Sequence, residues 1–365
     1  MTTHSKRIAK PEPISRRTML GSLAAAGLAA PSTTAHAAGK EPFFLTRGVV
    51  LVPSDITTWN WPRQARRAGL NTIGTHIFPH QVAEFVQTDA GQRFLEECRR
   101  LEIEVEHELH SMGDLLPREL FAKHPEMFRM NERGERVADW NLCVHSKAAV
   151  ERVCENAQKY ARLLRPTTGR YFYWIDDNRP MCRCPKCRGL SDADQALILE
   201  NAILAALRQV DDRARLAHLA YANTYPPPAQ VKPQPGIFLE FAPIHRNYDA
   251  PLSRRDSAFA GYTHGALLDH LDANLEVFGT QGAQALEYWL DESRFLRHTK
   301  PPRPTRVEIP WDRRVFRNDL ETYGQRGIRH VTTFAVQVDG PYVERFGAPP
   351  LGEYGADLAT WPHRS

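Results

Sequence analysis

Short apolar runs recur along the chain, at 48–52, 72–76, 103–109, 171–175, 216–222, 237–241, 285–288 and 330–336. Each has the length of a buried strand, and most are rich in β-branched or aromatic residues. Segments with helix-like spacing of apolar positions lie between most of them, at 61–68, 88–100, 147–164, 192–208, 265–278 and 315–326. Eight strands alternating with helices predict an α/β fold, a TIM-type (β/α)8 barrel with long loops at its carboxyl face. No internal repeat or linker divides the chain, so residues 38–365 read as a single domain. The Pro-rich stretches Tyr225-Pro-Pro-Pro and Lys300-Pro-Pro-Arg-Pro read as strand-end loops.

The first 37 residues break this pattern. Ser15-Arg-Arg-Thr-Met-Leu20 has the form of a twin-arginine export signal. A weakly apolar stretch and the A-x-A site Ala35-His-Ala37 follow it. The apolar stretch is too short to span a bilayer. An amphipathic N-terminal helix is the alternative. The signal predicts a mature chain starting near Ala38, periplasmic or extracellular, with the twin-arginine machinery as its partner. It predicts no membrane association after cleavage. The route carries folded proteins, which is compatible with a metal inserted in the cytoplasm.

Charge follows the same division. The whole chain carries a formal +4, but residues 1–37 hold five Lys/Arg and one acid, so the remainder is neutral. No basic stripe with interleaved aromatics is present, and nucleic acid is not expected as a partner. Seven Trp and eleven Tyr suit a carbohydrate or small-molecule cleft.

Candidate chemistry gathers where the apolar runs end. Asp176 and Asp177 close the run Tyr171-Phe-Tyr-Trp-Ile175. A strand's carboxyl end is where barrels keep their active sites, so the pair suggests acid/base catalysis. The alternative is capping, with Asn178 and Pro180 making a turn. Ile103-Glu-Val-Glu-His-Glu-Leu-His110 puts Glu104, Glu106, Glu108 and His110 on one face by the period of two. Ile103, Val105 and Leu109 suit the helix-covered outer face. The charged face is therefore expected inside, with Glu108 and His110 nearest the mouth and the lower glutamates as site groups or ion-pair partners. Glu240 is a lone acid in an apolar run. Glu287, Trp289 and Asp291 share a face, as do Thr333, Ala335 and Gln337 leading to Asp339. Unpaired buried charge is too costly to leave inside a fold. Acids converging at one mouth would shift each other's pKa values and separate acid from base. His76 and His80 follow the second run, as substrate ligands, metal ligands or plain loop residues. Trp59, Trp61, Tyr221 and Tyr225 are expected either to stack on sugars or to pack. Cys182, Cys184 and Cys187 form a tight C-x-C-x-x-C turn suited to metal or disulfide bonding. Cys98 and Cys154 read as packing thiols.

The segments His110-Ser-Met-Gly-Asp-Leu-Leu-Pro117, His124-Pro-Glu-Met-Phe-Arg-Met-Asn131, Asn141-Leu-Cys-Val-His145, Asp177-Asn178, the cysteine turn, and Ala220-Tyr221 through Pro226-Pro-Pro carry a resemblance in that order. Over roughly residues 45–345 the chain resembles an uncharacterised bacterial domain family grouped with alpha-glucuronidase-like and hexosaminidase-like glycoside hydrolase barrels. The resemblance implies a TIM barrel and glycoside hydrolysis, and no particular substrate. It matches Asp177 to the family's acid before the cysteine turn, and Cys143 to its lone upstream cysteine. Many members carry Asn in place of Asp176. With Asp176, the chain is similar to the O-linked N-acetylglucosaminidase barrels. There, adjacent aspartates after strand four orient the acetamido group and supply the acid/base.

The leading expectation is an exported hydrolase of a glycan, or of a uronic acid or N-acetylhexosamine-type glycoside. Asp177 would be the general acid and Asp176 its neighbour, with Glu240 or Glu287 as base or nucleophile. Their separation would decide inversion or retention. His76, Glu108, His110, Tyr221, Trp289, Asp291 and Asp339 are the expected substrate contacts. A non-catalytic carbohydrate-binding barrel is one alternative. A metal-dependent hydrolase or lyase using His76, His107 and His110 is another. No cofactor is expected for catalysis. Cys143, Cys182, Cys184 and Cys187 are expected to hold a structural zinc, to form two disulfides, or to pack as free thiols.

Overall fold

Eight parallel strands close into one barrel in the computed structural model, which describes residues 41–299 and 304–362. The predicted export signal lies outside the described residues. The strands are β1 (Thr46–Leu51), β2 (Thr72–Thr75), β3 (Glu104–His110), β4 (Arg170–Trp174), β5 (Arg215–Ala220), β6 (Ile237–Phe241), β7 (Gln284–Glu287) and β8 (His330–Phe334). Each pairs with its neighbours in sequence, and β8 pairs back onto β1 from Thr46↔His330 to Val50↔Phe334. The barrel is the expected fold, with strand ends displaced by a few residues at most.

Helices cover the outside: α1 (Trp61–Arg67), α2 (Asp89–Arg100), α3 (Lys147–Leu163), α4 (Asp192–Leu207), α5 (His264–Phe278), α6 (Arg313–Gln325) and α7 (Leu351–Thr360). Ser191 shows why a helix starts where it does. Its hydroxyl accepts from the Asp194 amide (3.0 Å) and donates to the Asp194 carboxylate (2.7 Å), a reciprocal cap on α4. Between β5 and β6 only a single 3-10 turn forms, Ala222–Thr224, because the prolines that follow withhold amides from a helix. No helix among the described residues is long and apolar enough to cross a membrane.

Alternation sorts the strand residues into two layers. Tyr171, Tyr173, Val105, Leu109, Ala285 and Trp289 join the core between strands and helices. Val50, Phe172, Trp174, Leu219, Phe238, Leu286, Tyr288 and Phe334 fill the interior. Inside the barrel a polar layer runs beside these side chains. Arg170 pairs with Glu106 (3.3 Å), donates to Gln284 Oε1 (2.6 Å) and lies over the Phe238 ring (4.1 Å). The Gln284 amide donates to Glu240 (3.0 Å). A charge here survives because another charge and several donors surround it. Gly74 makes room for this layer, since a Cβ there would stand 3.2 Å from Glu108 Oε1.

Candidate active site

The carboxyl ends of the strands surround a cavity of about 280 Å³. Val52, His76, His110, Trp174, Leu219, Ile244, Tyr288 and Phe334 line it, one from or beside each strand, together with Asp177, Tyr221, Asp291 and Arg297. The walls are therefore largely aromatic and aliphatic, with a few convergent polar groups. A larger groove, about 730 Å³, lies between residues 56–63 and the 90–97 stretch. Its two carboxylates, Glu96 and Glu97, are both paired with arginines, so volume alone does not mark the site.

Two aspartates reach the mouth cavity. Asp177 is exposed just past β4, and Tyr221 stands beside it in the cavity lining. Burial first, and then Asp177, push the Tyr221 pKa up, so this hydroxyl keeps its proton. Asp291, beyond β7, is buried and caps the short helix Glu292–Arg297. Its Oδ1 accepts from Ser293 Oγ (2.6 Å) and the Arg294 amide (3.1 Å), and no hydrogen bond falls on Oδ2 among the described residues. Burial raises the Asp291 pKa, against the pull of Ser293, Arg294 and Arg297.

Asp176 is turned away from that cavity. It pairs with Arg118 (3.0 Å) and borders a small crevice that adjoins the cavity through His110, Asp177, Leu219 and Tyr221. Burial dominates both partners, raising the carboxyl and lowering the guanidinium pKa. The turn itself is gripped by Asn141. Its Oδ1 accepts from the Asp176 amide (3.0 Å), and its Nδ2 donates to the carbonyls of Arg179 (3.1 Å) and Pro180 (3.3 Å). Arg179 stacks over Trp140 at 3.8 Å. Asn178 adopts the left-handed conformation (φ 46°), which Asn tolerates.

His76 and His110 lie side by side, with ring centroids 5.6 Å apart and Trp174 against both. His76 Nδ1 meets the Glu108 carbonyl (2.6 Å) and His110 Nδ1 the Ile175 carbonyl (3.1 Å). A carbonyl only accepts, so each Nδ1 carries a proton, and His76, which stays neutral, offers Nε2 as an acceptor. Burial, with His110 nearby, lowers the His76 pKa to about 3.

Several expected site residues lie elsewhere. Glu108 and Glu240 face inward but sit below the cavity. The Trp174 indole donates to Glu240 (2.7 Å), and Trp174 rather than Glu240 lines the mouth. Burial raises the Glu240 pKa to about 8 and the Glu108 pKa well above the carboxylate range. Glu287 and Trp289 point outward, the reverse of the expectation, because Gln284, Leu286 and Tyr288 take the inner face of β7. Glu287 is held by Arg246 (3.0 Å), Tyr248 (2.7 Å) and Tyr323 (2.5 Å), and Trp289 donates to Asp319 (3.1 Å). Arg246 also pairs with Asp319 (2.7 Å). Asp339 caps the helix Gly340–Phe346 and pairs with Arg306 (2.8 Å), outside the cavity. Ala335 likewise faces outward, while Phe334 and Val336 face the cavity. His107 points outward, bonded to Thr75 (2.7 Å), so the three histidines of the metal reading do not converge. Trp61 packs against Trp59 (4.8 Å) and donates to Val338 (3.0 Å), neither of them at the mouth.

The structure brings together groups that sequence reasoning did not single out: Tyr288, Arg297, Arg118 and Asn141. Alternation would have found Tyr288, which faces opposite Glu287. Nothing local marks Asn141 or Arg118, whose partners lie 35 and 58 positions away.

Cys143, Cys182, Cys184 and Cys187 converge in one buried cluster beside this turn, with their sulfurs all within 4.8 Å of one another. Cys143 Sγ lies 3.8 Å from Cys184 Sγ and 3.9 Å from Cys187 Sγ. Cys98 is buried in α2, and Cys154 is partly buried in α3.

Residues 48–265 match the family model described as "Domain of unknown function (DUF4838)", and the chain belongs to that family. A comparison with curated proteins finds no match. Among solved structures the chain is similar to a beta-galactosidase from the psychrophilic Marinomonas ef1, with 13% identity, a TM-score of 0.51, and coverage of 86% of this chain and 59% of that one. It is also similar to ZgEngAGH5_4 in complex with a cellotriose (12% identity, TM-score 0.48, 88% of this chain and 99% of that one). A third is a polyextremophilic beta-galactosidase from the Antarctic haloarchaeon Halorubrum lacusprofundi (12% identity, TM-score 0.46, 86% of this chain and 57% of that one). The chain thus spans 59% of the length of the first of these. The first likeness shows a shared barrel fold.

Proposed function

We propose that this DUF4838 barrel is a glycoside hydrolase whose working carboxylates are Asp177 and Asp291. The observation that carries the reading is their convergence on one aromatic-walled cavity at the barrel mouth, from the ends of β4 and β7. Asp177 stands on the cavity lining past β4, where it reaches the leaving oxygen as general acid. Asp291 is fixed by two bonds to one oxygen and presents the other as base or nucleophile. The anomeric configuration of the first product, read by NMR, tells these two roles apart. His76 accepts a hydrogen bond from a sugar hydroxyl through Nε2, and the His110 ring beside it contacts a second one. Trp174, Tyr288 and Phe334 supply apolar faces for the ring.

Arg297 gives the cavity a cation, which favours a carboxylated sugar such as a uronic acid. Asp176, engaged by Arg118, leaves the N-acetylhexosamine reading without its second aspartate. The deciding experiment is a screen of chromogenic glycosides, including both sugar types, on wild type and Asp177→Asn. Turnover of a uronide that Asp177→Asn abolishes is expected. Undiminished turnover by that variant removes Asp177 from the chemistry. Because Asp291 also caps a helix, a barrel that binds sugars without cleaving them is the second reading. Sugar binding by calorimetry, with no turnover across the screen, would establish it.

The twin-arginine segment supports export of the protein before it acts. Arg16→Lys with Arg17→Lys is expected to trap precursor in the cytoplasm. Normal export of that double variant would reject the signal.

A further inference from the structure

We propose that Cys143, Cys182, Cys184 and Cys187 bind one zinc ion in a closed tetrahedral cage. This stands independently of the glycosidase reading. Zinc–thiolate bonds of about 2.3 Å place the sulfurs of a regular tetrahedron about 3.8 Å apart. The resolved sulfur pairs stand 3.8 and 3.9 Å apart, and none of the four lies more than 4.8 Å from another. Two disulfides would instead give two pairs with sulfurs near 2.05 Å, separated from each other. Here Cys143 is nearly equidistant from two partners. A two-iron cluster would hold the ligands of its separate irons farther apart than this cage allows.

The surroundings suit an anionic centre. The Met130 amide points at Cys182 Sγ (3.3 Å), Arg136 Nη1 lies 3.7 Å from the same sulfur, and His145 Nδ1 lies 3.2 Å from Cys187 Sγ. Four thiols give up four protons to solvent as the divalent ion enters, leaving a site with net charge of two negative. A guanidinium and an amide aimed at the sulfurs offset that charge and orient the ligands. Uncharged thiols or disulfides would gain little from them. All four sulfurs are committed and buried, so no position remains open for a substrate, and the site is structural.

Its location gives it a second task. Cys143 lies two residues past Asn141, and the other three follow the Asp176–Pro180 turn that Asn141 grips. The cage therefore fixes both ends of the clamp that aims Asp177.

The test is elemental analysis of the full chain purified without chelators, followed by X-ray absorption at the zinc edge. One zinc per chain with four sulfur neighbours near 2.3 Å is expected. Cys184→Ser is expected to drop zinc to background and to lower the melting temperature. If that variant does not fold, mercurial titration of the wild type is expected to release one zinc as four thiols react. Two disulfides by non-reducing mass analysis, four thiols with no metal, or iron in place of zinc would each overturn the assignment.

Discussion

Two sets of carboxylates occupy this one barrel, and they differ in what they touch. At the mouth, Asp177 and Asp291 border a cavity and keep bonding capacity free for a ligand. Beneath it, Glu106 and Glu240 are spent on Arg170, Thr168, Gln284 and Trp174. The inner acids hold the shape of the floor, and the outer ones are available for chemistry. Position along the strand decides which: a mid-strand acid must find protein partners, whereas one past the strand end meets solvent or substrate.

The comparison breaks first on Asp177. Asp177→Asn is expected to lower kcat/KM by about 10²–10⁴-fold with an unchanged melting temperature. Asp291→Asn should do the same, because Asn caps helices as well as Asp does and so removes the charge without the cap. Steady-state kinetics with thermal scans check both. A melting point that falls together with activity would place these acids in the structural set.

The outward cluster supplies the converse. Arg246→Met leaves Glu287 and Asp319 buried without their cation. It is expected to cost about 3–5 kcal/mol in urea denaturation while the folded fraction keeps its kcat. A loss of kcat without loss of stability would move Glu287 back toward the site.

Tyr221→Phe sharpens the contrast at smaller scale. Losing the hydroxyl that stands next to Asp177 is expected to weaken kcat/KM by roughly tenfold, about 1–1.5 kcal/mol, and to shift its pH profile. An unchanged profile would show that Tyr221 only packs.

The smallest effect is on the slope of stability with pH. Glu240 titrates near 8 when folded, against an ordinary value of 4.5. Between those limits the folded state holds a proton that the unfolded state has lost, so this group's contribution falls as pH rises through the window. Glu240→Gln should flatten that slope when melting temperature is followed from pH 5 to 8. His76 acts oppositely: folded near 3 against 6.5, it withdraws stability as pH falls through that range.

The barrel was legible in the sequence because alternation and helical spacing are local signals. The eight apolar runs became the eight strands. The direction of a face was less legible. Glu287 looked like an inward acid because nothing near it in sequence could neutralise it outside. Arg246 and Tyr248 do so from the loop after β6 and Tyr323 from α6. On β3 the same reasoning succeeded, since Ile103, Val105 and Leu109 claimed the outer face. Asp291 and Asp339 lie past their strands, where alternation stops applying, and local turn geometry sends one into the cavity and the other onto Arg306. The convergence of Cys143 with the distant cysteine turn followed from family resemblance rather than from spacing.

The seam of the barrel joins the two ends of the described chain. Residues 46–50 pair with 330–334, and the Tyr354 hydroxyl of α7 bonds the Gly48 carbonyl (2.7 Å). A ribosome must therefore deliver almost the whole polypeptide before β1 meets its second neighbour. Until then β1 and β7 present bare edges on which nascent chains can pair with one another. Contacts so distant in sequence also form slowly. Biosynthesis of this protein should accordingly depend on chaperone cover late in translation. A message truncated before codon 330 should yield aggregates rather than a smaller soluble barrel.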